Sequence, residues 1–154
     1  MEPTTIYGNI IDLGLNGELD LILQGCNCQN TMGKGLGLEL KQRIPQCYEE
    51  DCKTIKGDKN KLGTISYITI ITPKNTELTI VNCYTQYWYG PKKGYTQTWT
   101  IKPIMEQIKQ KWSGKKIGYP KIGCGLGQGD WNEIYPIIKE TLWGEDQYLI
   151  LLPE

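Results

Sequence analysis

Histidine, phenylalanine and alanine are all missing from this 154-residue chain. Without histidine the chain lacks the side chain that ordinarily changes charge between about pH 5 and 8, and it lacks the commonest nitrogen ligand of zinc. The six cysteines do not compensate, because no two stand in a Cys-x-x-Cys spacing. Cys26, Cys28, Cys83 and Cys124 lie in or beside apolar, glycine-rich segments and are expected to stay reduced. Neither a metal nor a cofactor is expected. Alanine is normally among the commonest residues, on the order of ten in a chain this long. A strongly AT-biased gene explains little Ala with much Ile and Lys, yet it favours Phe. The composition therefore suggests an engineered or restricted-alphabet variant of a natural protein, which the source gene would decide.

Net charge and long apolar runs are absent as well. The 17 basic residues balance the 17 acidic ones, so no electrostatic footprint argues for nucleic acid or an anionic membrane, and any anion must be held locally. No stretch approaches the roughly 20 apolar residues of a membrane span. Met1-Glu2-Pro3-Thr4-Thr5 has neither the basic start nor the apolar core of a leader. The expectation is one soluble domain over residues 1–154, a monomer in the cytoplasm, or in the host cytoplasm if the gene is viral.

Glycine is abundant, and it is concentrated. Ile122-Gly123-Cys124-Gly125-Leu126-Gly127-Gln128-Gly129-Asp130-Trp131 alternates glycine with other residues between an apolar segment and an amphipathic one. Such a run has little to pack and costs much backbone entropy, so it suits a place where backbone approaches something closely. One reading is a phosphate, met by converging N–H groups and the next helix N-terminus. The other is a plain strand-to-helix connection in which Asp130 is an N-cap, since Asp130-Trp131-Asn132-Glu133 has capping-box spacing.

Along the chain, short apolar runs bounded by turn residues predict strands. One begins at Thr5 and turns at Gly8-Asn9, and another over 19–25 is a central strand ending in Gly25-Cys26-Asn27-Cys28. The β-branched segments 62–72 and 77–84 predict an antiparallel hairpin, and 116–122 and 148–152 complete the sheet. Leu36, Leu40 and Ile44 mark a helix over 31–44, with Thr31 as a possible cap and Gly33, Gly35 and Gly37 in its first turns. Those glycines fit either a ligand at the helix start or close packing on the sheet. Further helices are expected over 46–52, along the stripe Ile101, Ile104, Met105, Ile108 and Trp112, and over 131–142. The polar, aromatic loop 84–95 suits base stacking or a surface loop pinned by tyrosines. Strands alternating with helices predict an α/β domain, a three-layer α/β/α sandwich with a central mixed sheet. Both glycine loops then fall at the carboxyl ends of strands, where such sheets gather ligands.

Taken together, these segments resemble the macro domain family, most closely its phage and yeast-like branch of ADP-ribose-1″-phosphate phosphatases. The matching stretches are Gly8-Asn9-Ile10, Asn27 through Gly35, and Tyr119-Pro120-Lys121-Ile122-Gly123-Cys124-Gly125-Leu126. The resemblance implies a cleft for ADP-ribose or its 1″-phosphate, lined by Asn9, Ile10, Cys26 and Asn27, by Met32, Gly33, Lys34, Gly35, Leu36 and Gly37, and by Ile122 through Gly129. Asn9, where the family usually has Asp, would meet the adenine amino group with its side-chain oxygen, and Asn27 the distal ribose. The second loop would wrap that ribose and a phosphate, and the third the diphosphate and terminal phosphate. Asp130 resembles the Asp of the branch's Gly-Gly-Asp-Trp and is the candidate catalytic group, to activate water or attack phosphorus. The cap and catalytic roles are expected to need different rotamers.

Some positions depart from the family pattern. A branch that removes ADP-ribose from protein carboxylates carries Lys where this chain has Tyr84-Thr85-Gln86, and Asp where it has Gly127. Lys34 stands where a small residue is usual. Phosphatase activity and plain ADP-ribose binding both stay open, with ADP-ribosyl-protein hydrolysis ranked lower.

Overall fold

In the computed structural model, which describes residues 2–90, 95–125 and 127–153, the chain forms one mixed sheet flanked by helices. The elements are β1 (Thr4–Tyr7), α1 (Ile10–Leu15), β2 (Leu21–Cys26), α2 (Gly35–Arg43), α3 (Gln46–Asp51), β3 (Ile65–Ile71), β4 (Glu77–Tyr84), α4 (Ile101–Trp112), β5 (Lys116–Tyr119), α5 (Trp131–Thr141) and β6 (Asp146–Leu151). Strand order is β1-β6-β5-β2-β4-β3. Every neighbouring pair is parallel except β3 with β4, the expected hairpin, which runs from Ile65 opposite Cys83 to Ile71 opposite Glu77.

Period-two alternation on β2 sorts the core into two layers. Leu21 and Leu23 join Val81, Cys83, Ile117 and Tyr119 against α4 and α5, which contribute Ile104, Met105, Ile108, Ile134 and Ile138. Ile22 and Cys26 join Ile80, Tyr84 and Ile150 against α1, α2 and α3 through Ile11, Leu40 and Cys47. A strand buried on both faces reads as a continuous apolar run, which is why the 19–25 stretch was recognisable.

One element was not foreseen and one expectation is corrected. The chain beyond Gly8-Asn9 winds into α1, whose six residues are too short to show a helical period; it is held by burying Ile10, Ile11 and Gly14. Helix α2 starts at Gly35 rather than near Thr31. Lys34 is extended, and the Thr31 hydroxyl accepts from Asn27 Nδ2 at 2.9 Å instead of capping.

A buried polar chain ties the sheet to α3. Gln24 Nε2 donates to Asn82 Oδ1 at 2.8 Å, and Asn82 Nδ2 donates to the Cys47 carbonyl at 3.0 Å and Ser66 Oγ at 3.1 Å. The Ser66 hydroxyl lies 2.8 Å from the Tyr84 hydroxyl, which donates to Asp51 Oδ1 at 2.6 Å. Desolvation raises the Asp51 carboxyl above its ordinary range, against the Tyr84 hydrogen bond and the Lys61 charge, which lower it. The folded state therefore holds the Asp51 proton more tightly than the unfolded chain, and this favours folding at low pH. That contribution is lost as pH rises from the ordinary carboxylate range, about 4, through the raised value. Asp51→Asn, which still accepts from Tyr84, should lose this component. Denaturant melts of the variant across that window should show a smaller decline of stability with pH than the parent.

Candidate functional site

Because β1, β6, β5, β2 and β4 are parallel, their carboxyl ends share one edge of the sheet. The described residues of the predicted site follow β1, β2 and β5 and lie at that edge. A cavity of about 190 Å³ takes in Asn9, Ile10, Gly35 and Leu36 of that set, lined also by Gly8, by Glu39 of α2, by Pro120 beyond β5, and by Ile150 and Leu152. A larger groove of about 550 Å³ runs between α4 and α5 past Lys102, Glu106, Lys109 and Glu140. It includes neither glycine loop nor any strand end.

The loop after β2 is heavily braced. Cys28 N–H donates to the Tyr87 carbonyl at 3.1 Å, Gly57 N–H to the Cys28 carbonyl at 2.7 Å, and the Tyr87 hydroxyl to the Gly57 carbonyl at 2.8 Å. Lys61 Nζ reaches the Cys28 carbonyl at 3.2 Å and Asn30 Oδ1 at 2.7 Å, which gives this buried cation its partners. Asn27 spends its amide on the loop, donating to Thr31 and accepting from Gln29 N–H at 2.8 Å. Cys26, Met32 and Ile122, expected at the ligand, have their side chains in the core. Burial pushes the Cys26 thiol well up. The exposed Lys34 precedes Gly35, whose φ of 59° favours glycine. Gly37 instead packs on β2: a Cβ there would sit 3.6 Å from Gln24 Oε1 and from Met32.

The loop after β5 closes on itself. The Gly123 carbonyl accepts from Gly129 N–H at 2.7 Å and from Thr96 Oγ1 at 2.9 Å, while Thr96 N–H donates to the Gly127 carbonyl at 2.8 Å. A Cβ on Gly127 would come within 2.5 Å of Thr96 Oγ1 and 2.6 Å of Gln86 Oε1; on Gly129 it would meet the Gly123 carbonyl at 2.8 Å. Gly123 has φ 73°. Those three glycines thus serve the loop's own closure, which corrects the idea that the whole alternating run exists for a ligand. Gly125 differs: a Cβ there meets nothing within 4 Å, as on Gly33. Among the described residues, the N–H groups of Gly123, Gly125 and Gly127 have no internal acceptor. The expected contact at Leu126 lies outside the described residues, as do 91–94 of the aromatic loop.

Thr96, not singled out from sequence, and Gln86, noted there only as part of a departure from the family pattern, bridge across that loop. Their only signal was polarity, and their role depends on a segment some thirty residues away. Trp88, Tyr89 and Tyr95 are exposed, while Tyr87 is the pinning tyrosine.

Both flanking Asx residues are caps. Asp130 precedes α5 with φ −90° and ψ 111°, and its Oδ1 accepts from Asn132 N–H at 2.9 Å. Among the described residues Oδ2 takes no part, so a second role needs no rotamer change, contrary to expectation. Cys124 is a poor nucleophile, since burial first and then the Asp130 charge raise its thiol. Asn9 Oδ1 accepts from Ile11 N–H at 2.9 Å and Asp12 N–H at 3.0 Å. That oxygen is fully used, which corrects its expected contact with an amino group.

The two classes of glycine separate experimentally. Gly127→Ala should cost about 1–3 kcal/mol through overpacking, whereas Gly125→Ala should leave the thermal midpoint nearly unchanged, within about 0.5 kcal/mol. Calorimetric melts of both variants check this.

The Macro domain model matches residues 24–138, from β2 into α5. An uncharacterized 17.5 kDa protein of the tk-vs intergenic region of Enterobacteria phage T4 is 32% identical over 135 residues, covering 86% of this chain and 85% of that protein. A DNA ADP-ribosyl glycohydrolase of Mycobacterium bovis is 26% identical over 125 residues, covering 78% of this chain; the match spans only 34% of that enzyme. Among solved structures, Thermosipho africanus DarTG in complex with ADP-ribose superposes with a TM-score of 0.77 at 19% identity, over 99% of this chain and 42% of that one. Sheet order, glycine loops and these matches agree: the chain belongs to the macro domain family.

Proposed function

We propose that the cleft binds ADP-ribose and that the protein hydrolyses ADP-ribose-1″-phosphate to ADP-ribose and inorganic phosphate. The observation that carries this is the set of N–H groups at Gly123, Gly125 and Gly127 that meet no internal acceptor among the described residues, with open space over Gly125. Backbone donors of this kind hold a phosphoryl group and the charge that develops on it, at no reorganisation cost. The ADP-ribose complex of a similarly folded protein supports the choice of ligand.

In the proposed reaction, water attacks phosphorus and the bond between phosphorus and the oxygen on C1″ breaks, that oxygen leaving with a proton drawn from solvent, to which Asp130 afterwards returns its own. Asp130 Oδ2 takes the proton from water while Oδ1 keeps the cap. A second reading, a binding module without turnover, is favoured by Asp130 being exposed and already employed as a cap. Hydrolysis of ADP-ribosyl groups, which the name of the mycobacterial relative suggests, ranks lower because Thr85-Gln86 and Gly127 replace the Lys and Asp of that chemistry. The proposal extends to a cytoplasmic monomer without metal or cofactor. It keeps the engineered-variant reading of the missing Ala, Phe and His, which the source gene decides.

Millimolar ADP-ribose should raise the thermal midpoint, and Gly125→Val should abolish that rise without destabilising the free protein. Asp130→Asn keeps a good cap, so it should retain ADP-ribose affinity while phosphate release falls by roughly 10²–10⁴-fold. Equal release by parent and variant would exclude Asp130 as the base. A parent that binds but releases no phosphate would establish the binding module.

A further inference from the structure

The loop after β2 is tied down through its carbonyls. Cys28 C=O accepts from Gly57 N–H at 2.7 Å and from Lys61 Nζ at 3.2 Å, Asn30 C=O from the Tyr48 hydroxyl at 3.1 Å, and Thr31 C=O from Asn27 Nδ2 at 3.1 Å. Its later N–H groups are not tied. From Asn30 to Gly37, into the first turn of α2, none meets an acceptor among the described residues.

Asn30 and Lys61 form the centre of that attachment. Asn30 has φ 56°, a left-handed backbone that Asn tolerates. Its side-chain Oδ1 accepts from Lys61 Nζ at 2.7 Å and Thr54 Oγ1 at 3.2 Å, and its Nδ2 donates to the Thr54 carbonyl at 3.1 Å. Lys61 is only 7% exposed. Its ammonium meets the Cys28 carbonyl, Asn30 Oδ1 and the Tyr84 ring, whose centroid lies 4.8 Å from Nζ. Buried charges are expensive, and well-packed apolar residues often stabilise as much. What a hydrogen-bonded ammonium adds is one fixed arrangement of the groups around it.

We infer that Lys61 is a positioning residue of the cleft: it touches no ligand, and its hold on Cys28 and Asn30 fixes the following N–H groups as one preorganised row of donors for an anionic ligand. The inference deepens the reading of the cleft as an ADP-ribose site and rests on it. The chain has no net charge, so an anion must be met by local groups, and backbone N–H groups serve best when their directions are set beforehand. With Lys61 in place the loop is ordered before the ligand arrives. Without it, the ordering falls on the binding step.

The test is titration calorimetry with ADP-ribose, well below each protein's melting temperature, on the parent, Lys61→Met, Asn30→Gly and the double variant. Met keeps an unbranched stem without the ammonium, while Gly adopts the left-handed φ readily and offers Lys61 no side chain. Each single variant should bind ADP-ribose roughly tenfold more weakly than the parent. The double variant should bind no more weakly than the weaker single, because all three break one attachment. Parental affinity in a folded Lys61→Met or Asn30→Gly overturns the positioning role, whatever the change in melting temperature, and so does an additive loss in the double variant. If Lys61→Met fails to fold, Asn30→Gly decides alone. A parent that does not bind ADP-ribose overturns the cleft reading, and this inference with it.

Discussion

The Gly123 carbonyl accepts from Gly129 N–H and Thr96 Oγ1, and those two bonds decide the shape of the loop after β5. With that carbonyl bonded within the loop, the N–H groups of Gly123, Gly125 and Gly127 meet no internal acceptor among the described residues, the arrangement from which backbone donors can hold an anion. Thr96 belongs to the segment after β4, so the glycine loop is closed by a different part of the chain. The crowding of Thr96 and Gln86 against Gly127 is the cost of that closure, and it explains why only glycine fits there.

The loop after β2 follows the same logic with different parts. Its backbone is held by Tyr87, Gly57 and the buried Lys61, so the space over Gly33 is left open by a braced frame. Lys61 is tolerated in the interior because a carbonyl, an amide oxygen and the Tyr84 ring surround it. Both loops sit at the carboxyl ends of parallel strands, where helix starts and exposed backbone donors meet.

The two caps show how one side chain can serve folding and still keep a second terminal atom uncommitted among the described residues. An Asx residue before a helix uses one oxygen on backbone N–H groups, and its other terminal atom is free to meet a ligand. For Asp130 that atom is a second oxygen, which can take a proton; for Asn9 it is an amide nitrogen, which can only donate.

Sheet, hairpin and the longer helices were legible because they rest on local periodicity: the stripe from Ile101 to Ile108, the apolar run of β2 and the β-branched 77–84 segment each carry their pattern within a few residues. The glycine loops were equally visible, and so was their placement beyond strand ends. Tertiary structure alone decided that Gly125 and Gly33 face open space while Gly127 and Gly129 face protein, and that the Asn9 oxygen is already used. It also decided α1, too short for a period, and the recruitment of Thr96 and Gln86. The reason is range: propensity and periodicity are written in neighbouring residues, whereas the direction of a lone pair or the space above a glycine depends on atoms that only the completed fold brings near.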